Sequence, residues 1–183
     1  MKSQIATAEI LLERMARIGM EFLPVVWQHE RIYVPRGFRS GMNQPRIGLR
    51  TEVKVANQPA EYILYLKRHI EDSGVDFVFS TPVKKYTEAT GIIHQLGFGK
   101  LAEISRQRRT MWLDENTLVQ LDEVEGLDGA FVKIEAELQE GEPVNALRQE
   151  LLLTLKTLQL ETMLVQTYGE MINSNLIQPY YIP

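Results

Sequence analysis

Residues 91–110 read GIIHQLGFGKLAEISRQRRT, and residues 121–137 read LDEVEGLDGAFVKIEAE. The first run begins on a helix. Ala89, Ile92, Ile93 and Leu96 stand at i, i+3, i+4 and i+7, which predicts a helix over 87–96 with one apolar face. Gly97 follows where a helix closes through a left-handed residue. The remainder of both runs is strand-like. Strands are predicted over 102–111, 117–124 and 130–138, joined by the turn-rich segments 113–116 and 125–129.

Upstream, the stretch 46–67 reads as a hairpin: residues 49–55 alternate, NQPA at 57–60 supplies the turn, and the return strand runs over 61–68. Ser73-Gly74 marks a second turn, followed by a strand over 75–79. A short strand over 31–34 precedes a loop rich in Gly, Arg and Asn at 35–45. Ile5, Ala8, Leu12, Met15 and Ala16 predict an opening helix over 3–18, capped by Ser3 and closed by Gly19. Downstream, Pro143 suits a first helical turn. Val144, Leu147, Leu151, Leu155 and Leu158 then form one stripe, read as core, with a homodimer contact left open. A last helix is predicted over 161–172. The apolar tail 173–183, with Leu176, Ile177, Tyr180 and Tyr181, is expected to dock on its own domain or a neighbour. The expectation is an α+β chain with a largely antiparallel sheet and flanking helices. One domain spans 1–183: an opening helix region (1–30), the strands with one helix (31–140), and the closing helices and tail (141–183).

Composition sets the outer limits. In 183 residues, 44% are hydrophobic and 24% charged, the profile of a globular chain. There is no cysteine, so disulfides, thiolate metal sites and thiol catalysis are excluded. The net charge of −4 argues against a broad nucleic-acid face. No apolar run reaches the roughly 20 residues of a membrane span, and the first residues lack a signal-peptide pattern. A cytoplasmic protein is expected. His29, His69 and His94 have no ligand spacing and read as surface or packing residues. Trp27 and Trp112 read as core or rim.

Strand alternation sorts the charges. Alternate residues share a face, so Arg50, Glu52 and Lys54 lie together, as do Glu61, Tyr65 and Lys67. Arg106 lies with Arg108, Gln120 with Asp122, and Lys133 with Glu135 and Glu137. Brought into one concavity, such a mixture suits a polyphosphate: cations neutralise the oxygens and carboxylates hold a bridging metal. A half-solvated antiparallel sheet shows the same alternation on its outer face, so phase by itself leaves both readings open.

The two quoted runs bear on that choice. They resemble the CYTH family, whose pattern is a helix ending in LGF, then K-x-R, then LDEVEGLG-x-F-x-E-I-E. Weaker likenesses extend over nearly the whole chain: Leu49-Arg50 to the family's L-R-I-R, residues 64–67 (LYLK) to its L-T-Y-K, and residues 167–172 (TYGEMI) to its closing S-Y-x-x-L-L. The family includes class IV adenylyl cyclases, thiamine triphosphatases and inorganic triphosphatases, built on a triphosphate tunnel β-barrel. The resemblance implies that Arg50, Lys67, Arg106 and Arg108 bind phosphates. It also implies that Asp122 and Glu135 hold Mg²⁺ or Mn²⁺, with Glu137 and Glu52 as further carboxylates. It further implies a triphosphate-containing small molecule as partner, either hydrolysed or cyclised, or only bound by a catalytically degenerate member of the family.

Four departures accompany it. MKSQIAT at 1–7 lacks the family's opening E-x-E-x-K strand. Lys133 stands at the first Glu of E-I-E. Glu52 stands at the second Arg of L-R-I-R. Of the acidic strand R-x-E-x-E, VDFVFS at 75–80 keeps Asp76 alone.

Overall fold

Alternating apolar and polar residues build one sheet from eight segments. They are β1 (Lys2–Ile5), β2 (Val26–Pro35), β3 (Arg46–Val53), β4 (Glu61–Ile70), β5 (Val75–Val83), β6 (Phe98–Trp112), β7 (Thr117–Val124) and β8 (Ala130–Ala136). Their order is β1-β8-β7-β6-β2-β3-β4-β5, and every neighbouring pair is antiparallel. Among the described residues, four helices accompany them: α1 (Ala8–Arg17), α2 (Tyr86–Gln95), α3 (Val144–Thr157) and α4 (Tyr168–Leu176). The computed structural model describes the chain apart from residues 39–43, 55–57, 71–74, 139–140, 142, 161–163, 165 and 177–183. The predicted turn at Ser73-Gly74 and the tail residues Ile177, Tyr180 and Tyr181 lie outside the described residues.

The convex face carries two apolar cores. Val119, Leu121, Val132 and Ile134, alternate residues of β7 and β8, pack against Ala8, Leu11 and Met15 of α1 and Leu147, Leu151 and Leu155 of α3. The leucine stripe is thus consumed within the chain. Under α2, Ala89 and Ile93 meet Tyr33 of β2 and Leu49 of β3. A third cluster lies on the opposite, concave face, where Ile32, Ile104, Val124 and Phe131 bury Tyr168 of α4. Strand β7 is therefore buried on both sides over most of its length.

The sheet curls. Strand β4 lies six strand steps from β1 in the hydrogen-bonded order. In a flat sheet that is about 29 Å, at roughly 4.8 Å per step, well beyond effective screening. Yet the Lys67 charge on β4 is the strongest charge acting on Lys2 of β1 and also acts on Lys133 of β8. Curling brings these side chains to face one another. The expected barrel is present as a half-barrel: among the described residues, β1 and β5 each pair on one side only.

Several boundaries move. The opening helix predicted over 3–18 is a strand, Lys2–Ile5, followed by the helix Ala8–Arg17. Ser3 is no helix cap. It is buried in β1 opposite Val132, and Thr7 precedes the helix. Residue-by-residue pairing with β8 overrides the helical spacing of Ile5 and Ala8. The final helix begins at Tyr168 rather than 161 because a capping box sets its start. The Glu170 carboxylate accepts the Thr167 N–H at 2.8 Å, and the Thr167 hydroxyl accepts the Glu170 N–H at 3.3 Å. Strands predicted over 31–34 and 102–111 extend to Val26–Pro35 and Phe98–Trp112, and that predicted over 130–138 ends at Ala136. Trp27 and Trp112 are exposed rather than in the core.

Candidate functional site

Register determines which charges meet. Gln28 lies opposite both Glu52 and Arg106, Glu30 opposite Arg50 and Ile104, and Arg108 opposite Asp122. Gln120 lies opposite Lys133, and Lys133 opposite Lys2. All share the concave face with Ile104, Val124 and Phe131, and hence with Tyr168. Lys67, opposite Arg46, continues that face on β4.

Three groups of side chains result. In the first, Arg50 Nε lies 2.7 Å from Glu52 Oε1, which accepts a 2.8 Å hydrogen bond from Gln28 Nε2. Arg106 donates to Gln28 Oε1 at 2.7 Å and to Glu30 at 3.2 Å, and Tyr65 hydrogen-bonds Glu30. Gly48 is what admits Tyr65, because a Cβ at position 48 would stand 1.9 Å from Tyr65 Cζ. In the second group, Arg108 grips Asp122 with two parallel hydrogen bonds, at 2.6 and 2.5 Å, and the Tyr168 hydroxyl donates to Asp122 at 2.9 Å. Asp122 is fully buried and Arg108 is 5% exposed. In the third, Glu135 pairs with Lys133 and accepts from Gln120 Nε2 at 2.7 Å. Nearby, Lys67 pairs with Asp76 at 2.7 Å.

The expected phosphate binders Arg50, Lys67, Arg106 and Arg108 therefore line one concave face, each already paired with a carboxylate. Asp122, Glu135 and Glu52 are on the same face. Glu137 is exposed just beyond the end of β8, its N–H bonded to the Asn116 carbonyl. Residues to which the sequence reading gave no binding role complete the site: Lys2, Gln28, Glu30, Gln120 and Tyr168.

Electrostatics follows from burial and pairing. Burial by itself would raise the Asp122 carboxyl, but the charges of Arg108 and Arg106 and the hydrogen bonds from Arg108 and Tyr168 hold it at about 2. Glu135 reaches about 2 by the same balance, against burial, through the charges of Lys133 and Arg108 and the hydrogen bond from Lys133. Both folded-state values lie below the ordinary carboxylate range, near 4. Their stabilisation is therefore complete above about pH 4 and is lost as pH falls towards 2. Thermal denaturation at pH 5, 4, 3 and 2 is expected to show a flat midpoint above pH 4 and a fall below it. In Asp122→Asn, part of that acid dependence disappears.

The donor set does not fit a divalent cation. Mg²⁺ fills much of its octahedron with waters and substrate phosphates but still needs one or two free carboxylates to hold it. Both Asp122 oxygens are engaged by Arg108 and Tyr168, and Glu135 is engaged by Lys133 and Gln120. The one buried acceptor on this face without a partner among the described residues is Gln120 Oε1. No group of three His, Asp or Glu side chains among the described residues is placed to hold a metal ion.

An eight-stranded antiparallel half-barrel with four helices and a charge-lined inner face is the architecture of the CYTH triphosphate tunnel fold. The CYTH domain matches residues 41–168, and the chain belongs to that family. Family members bind triphosphate substrates and are in general metal-dependent. The chain is similar to the PH1819 protein of Pyrococcus horikoshii OT3, with 19% identity, a TM-score of 0.80, and coverage of 94% of this chain and 96% of that one. It is also similar to a putative adenylate cyclase from Vibrio parahaemolyticus (15% identity, TM-score 0.73, 94% and 95% covered). A third similar structure is the putative adenylyl cyclase HpAC1 from Hippeastrum, described as having a dominant triphosphatase activity (16%, 0.59, 94% and 93%). At these identities the likeness shows the fold alone. No curated protein matches the sequence significantly. Among the described residues, no helix is long and apolar enough to cross a membrane.

Proposed function

We propose that the protein binds a triphosphate-containing small molecule on its concave face, with Arg50, Lys67, Arg106 and Arg108 directed at the phosphates. The observation that carries this reading is the convergence of those four cations, from β3, β4 and β6, on one face of a curled sheet. Charge-assisted hydrogen bonds to phosphate are among the strongest a side chain makes. Arg50 and Lys67, partly exposed, are placed to exchange a carboxylate partner for a phosphate oxygen. Arg106 and Arg108, buried in their pairs, supply fixed positive charge below them. Glu52, Asp122 and Glu135 act here as the partners that orient the cations.

Turnover is the second reading, and the activity in the name of the Hippeastrum neighbour favours it. Both readings meet one assay: inorganic triphosphate, ATP and thiamine triphosphate with EDTA, Mg²⁺ or Mn²⁺. Free phosphate and cyclic AMP report turnover, and the thermal midpoint reports binding. Binding is expected to raise the midpoint, and Arg50→Gln and Lys67→Met to weaken affinity about tenfold each, on the scale of one lost charge-assisted bond. A midpoint unmoved by all three compounds under every metal condition refutes the reading.

A further inference from the structure

The misfit between the carboxylates and a metal ion has a counterpart in the cations of the same region. Lys133 occupies the family's first E-I-E glutamate position. It lies directly opposite Lys2 on β1 and opposite Gln120 on β7. The curl of the sheet puts Lys67 of β4 near enough for its charge to act on both lysines. Three ammonium groups from three strands thus share one end of the concave face. Lys67 is answered by Asp76 and Lys133 by Glu135. Lys2 has no carboxylate within ion-pair reach among the described residues. Its ammonium donates to the Gln166 carbonyl and lies 4.5 Å from the centre of the Tyr168 ring.

Assembling like charges is costly unless an anion joins them. The cost is visible. Burial, then Lys67 and Lys133, draw the Lys2 ammonium down to about 8, and burial chiefly, with Lys67 and Arg108, draws down Lys133. A multiply charged anion would relieve both. An ammonium is a compact point charge suited to phosphate oxygens, so a fixed lysine can do part of what a divalent ion does: neutralise charge at a defined place.

We infer that Lys133, with Lys2 and Lys67, takes the place of the metal ion in this chain, so that the concave face holds a polyphosphate without any divalent cation. The inference rests on the proposed binding function and deepens it. It adds no covalent step. It also bears on the opening segment, where β1 brings Lys2 to the edge of this face and carries none of the carboxylates of the family's E-x-E-x-K pattern.

The experiment is calorimetric titration of the full chain with inorganic triphosphate, in EDTA and then in Mg²⁺ or Mn²⁺. In EDTA the wild-type protein is expected to bind, and an excess of Mg²⁺ to leave affinity unchanged or weaken it several-fold by capturing the ligand. Lys2→Met is expected to lower affinity in EDTA at least tenfold while the fold is retained. Lys133→Glu, which removes the ammonium and adds a carboxylate, is expected to abolish binding in EDTA and to recover part of it with Mg²⁺. Binding by the wild-type protein only with a divalent cation overturns the inference while the binding function stands. No binding under any condition overturns both. Unchanged affinity in Lys2→Met also overturns it, and that variant serves if Lys133→Glu fails to fold.

Discussion

Arg108→Met is expected to destabilise the protein by about 3–5 kcal/mol, the usual loss when one partner of a buried ion pair is removed. In a chain of this size that lowers the thermal midpoint by roughly 10 °C. The reason is the remaining Asp122, fully buried and left with the Tyr168 hydroxyl and the more distant charge of Arg106. The double replacement Arg108→Met with Asp122→Leu removes the uncompensated charge and is expected to regain most of the loss, because apolar residues of similar volume replace buried ion pairs at little cost. A double-mutant cycle measures the coupling. The double variant separates two roles of Arg108: stability returns while triphosphate binding does not. If Arg108→Met melts with the wild-type protein, the buried bidentate pair does not hold this face together.

The second large effect is expected at Phe131. Its ring is 1% exposed and meets the Tyr168 ring edge-on at 5.1 Å, in the cluster that seats α4 on the concave face. Truncating a buried phenylalanine costs about 3–5 kcal/mol, and most of that loss here falls on one helix. Phe131→Ala is expected to speed amide exchange over Tyr168–Leu176 far more than over α1 or α3, whose core is the separate cluster on the convex face. Equal acceleration in all three helices would show that the two faces do not loosen independently.

The half-barrel was legible because two quoted runs carry both strand alternation and a family pattern. The strand over Thr117–Val124 and the helix near Tyr86–Gln95 were readable to within a residue. Strand phase also placed the expected charges together, since Arg106 with Arg108, and Lys133 with Glu135, follow from period two alone. Phase has no information about which strands are neighbours. The pairing of Gln28 with both Glu52 and Arg106, and of Lys2 with Lys133, depends on a strand order that only the fold supplies. The opening strand escaped because four residues are too few to outvote a helical spacing that continues into α1. The start of α4 was readable in principle: Thr167 and Glu170 have capping-box spacing. A hydrophobic pattern that begins earlier outweighed that signal.

Strand β1 pairs with a strand about 130 residues further along the chain. During synthesis at roughly 5–20 residues per second, the first strand leaves the ribosome some 7–25 s before its partner exists. The apolar side of α1 waits as long, because its partners include β8 and α3. Only the strands from Val26 to Val124 can associate in the meantime, and a nascent chain stalled before Ala130 leaves Leu11 and Met15 without Val132, Ile134 and the α3 leucines that complete their cover, a partly open apolar surface where a chaperone would find them.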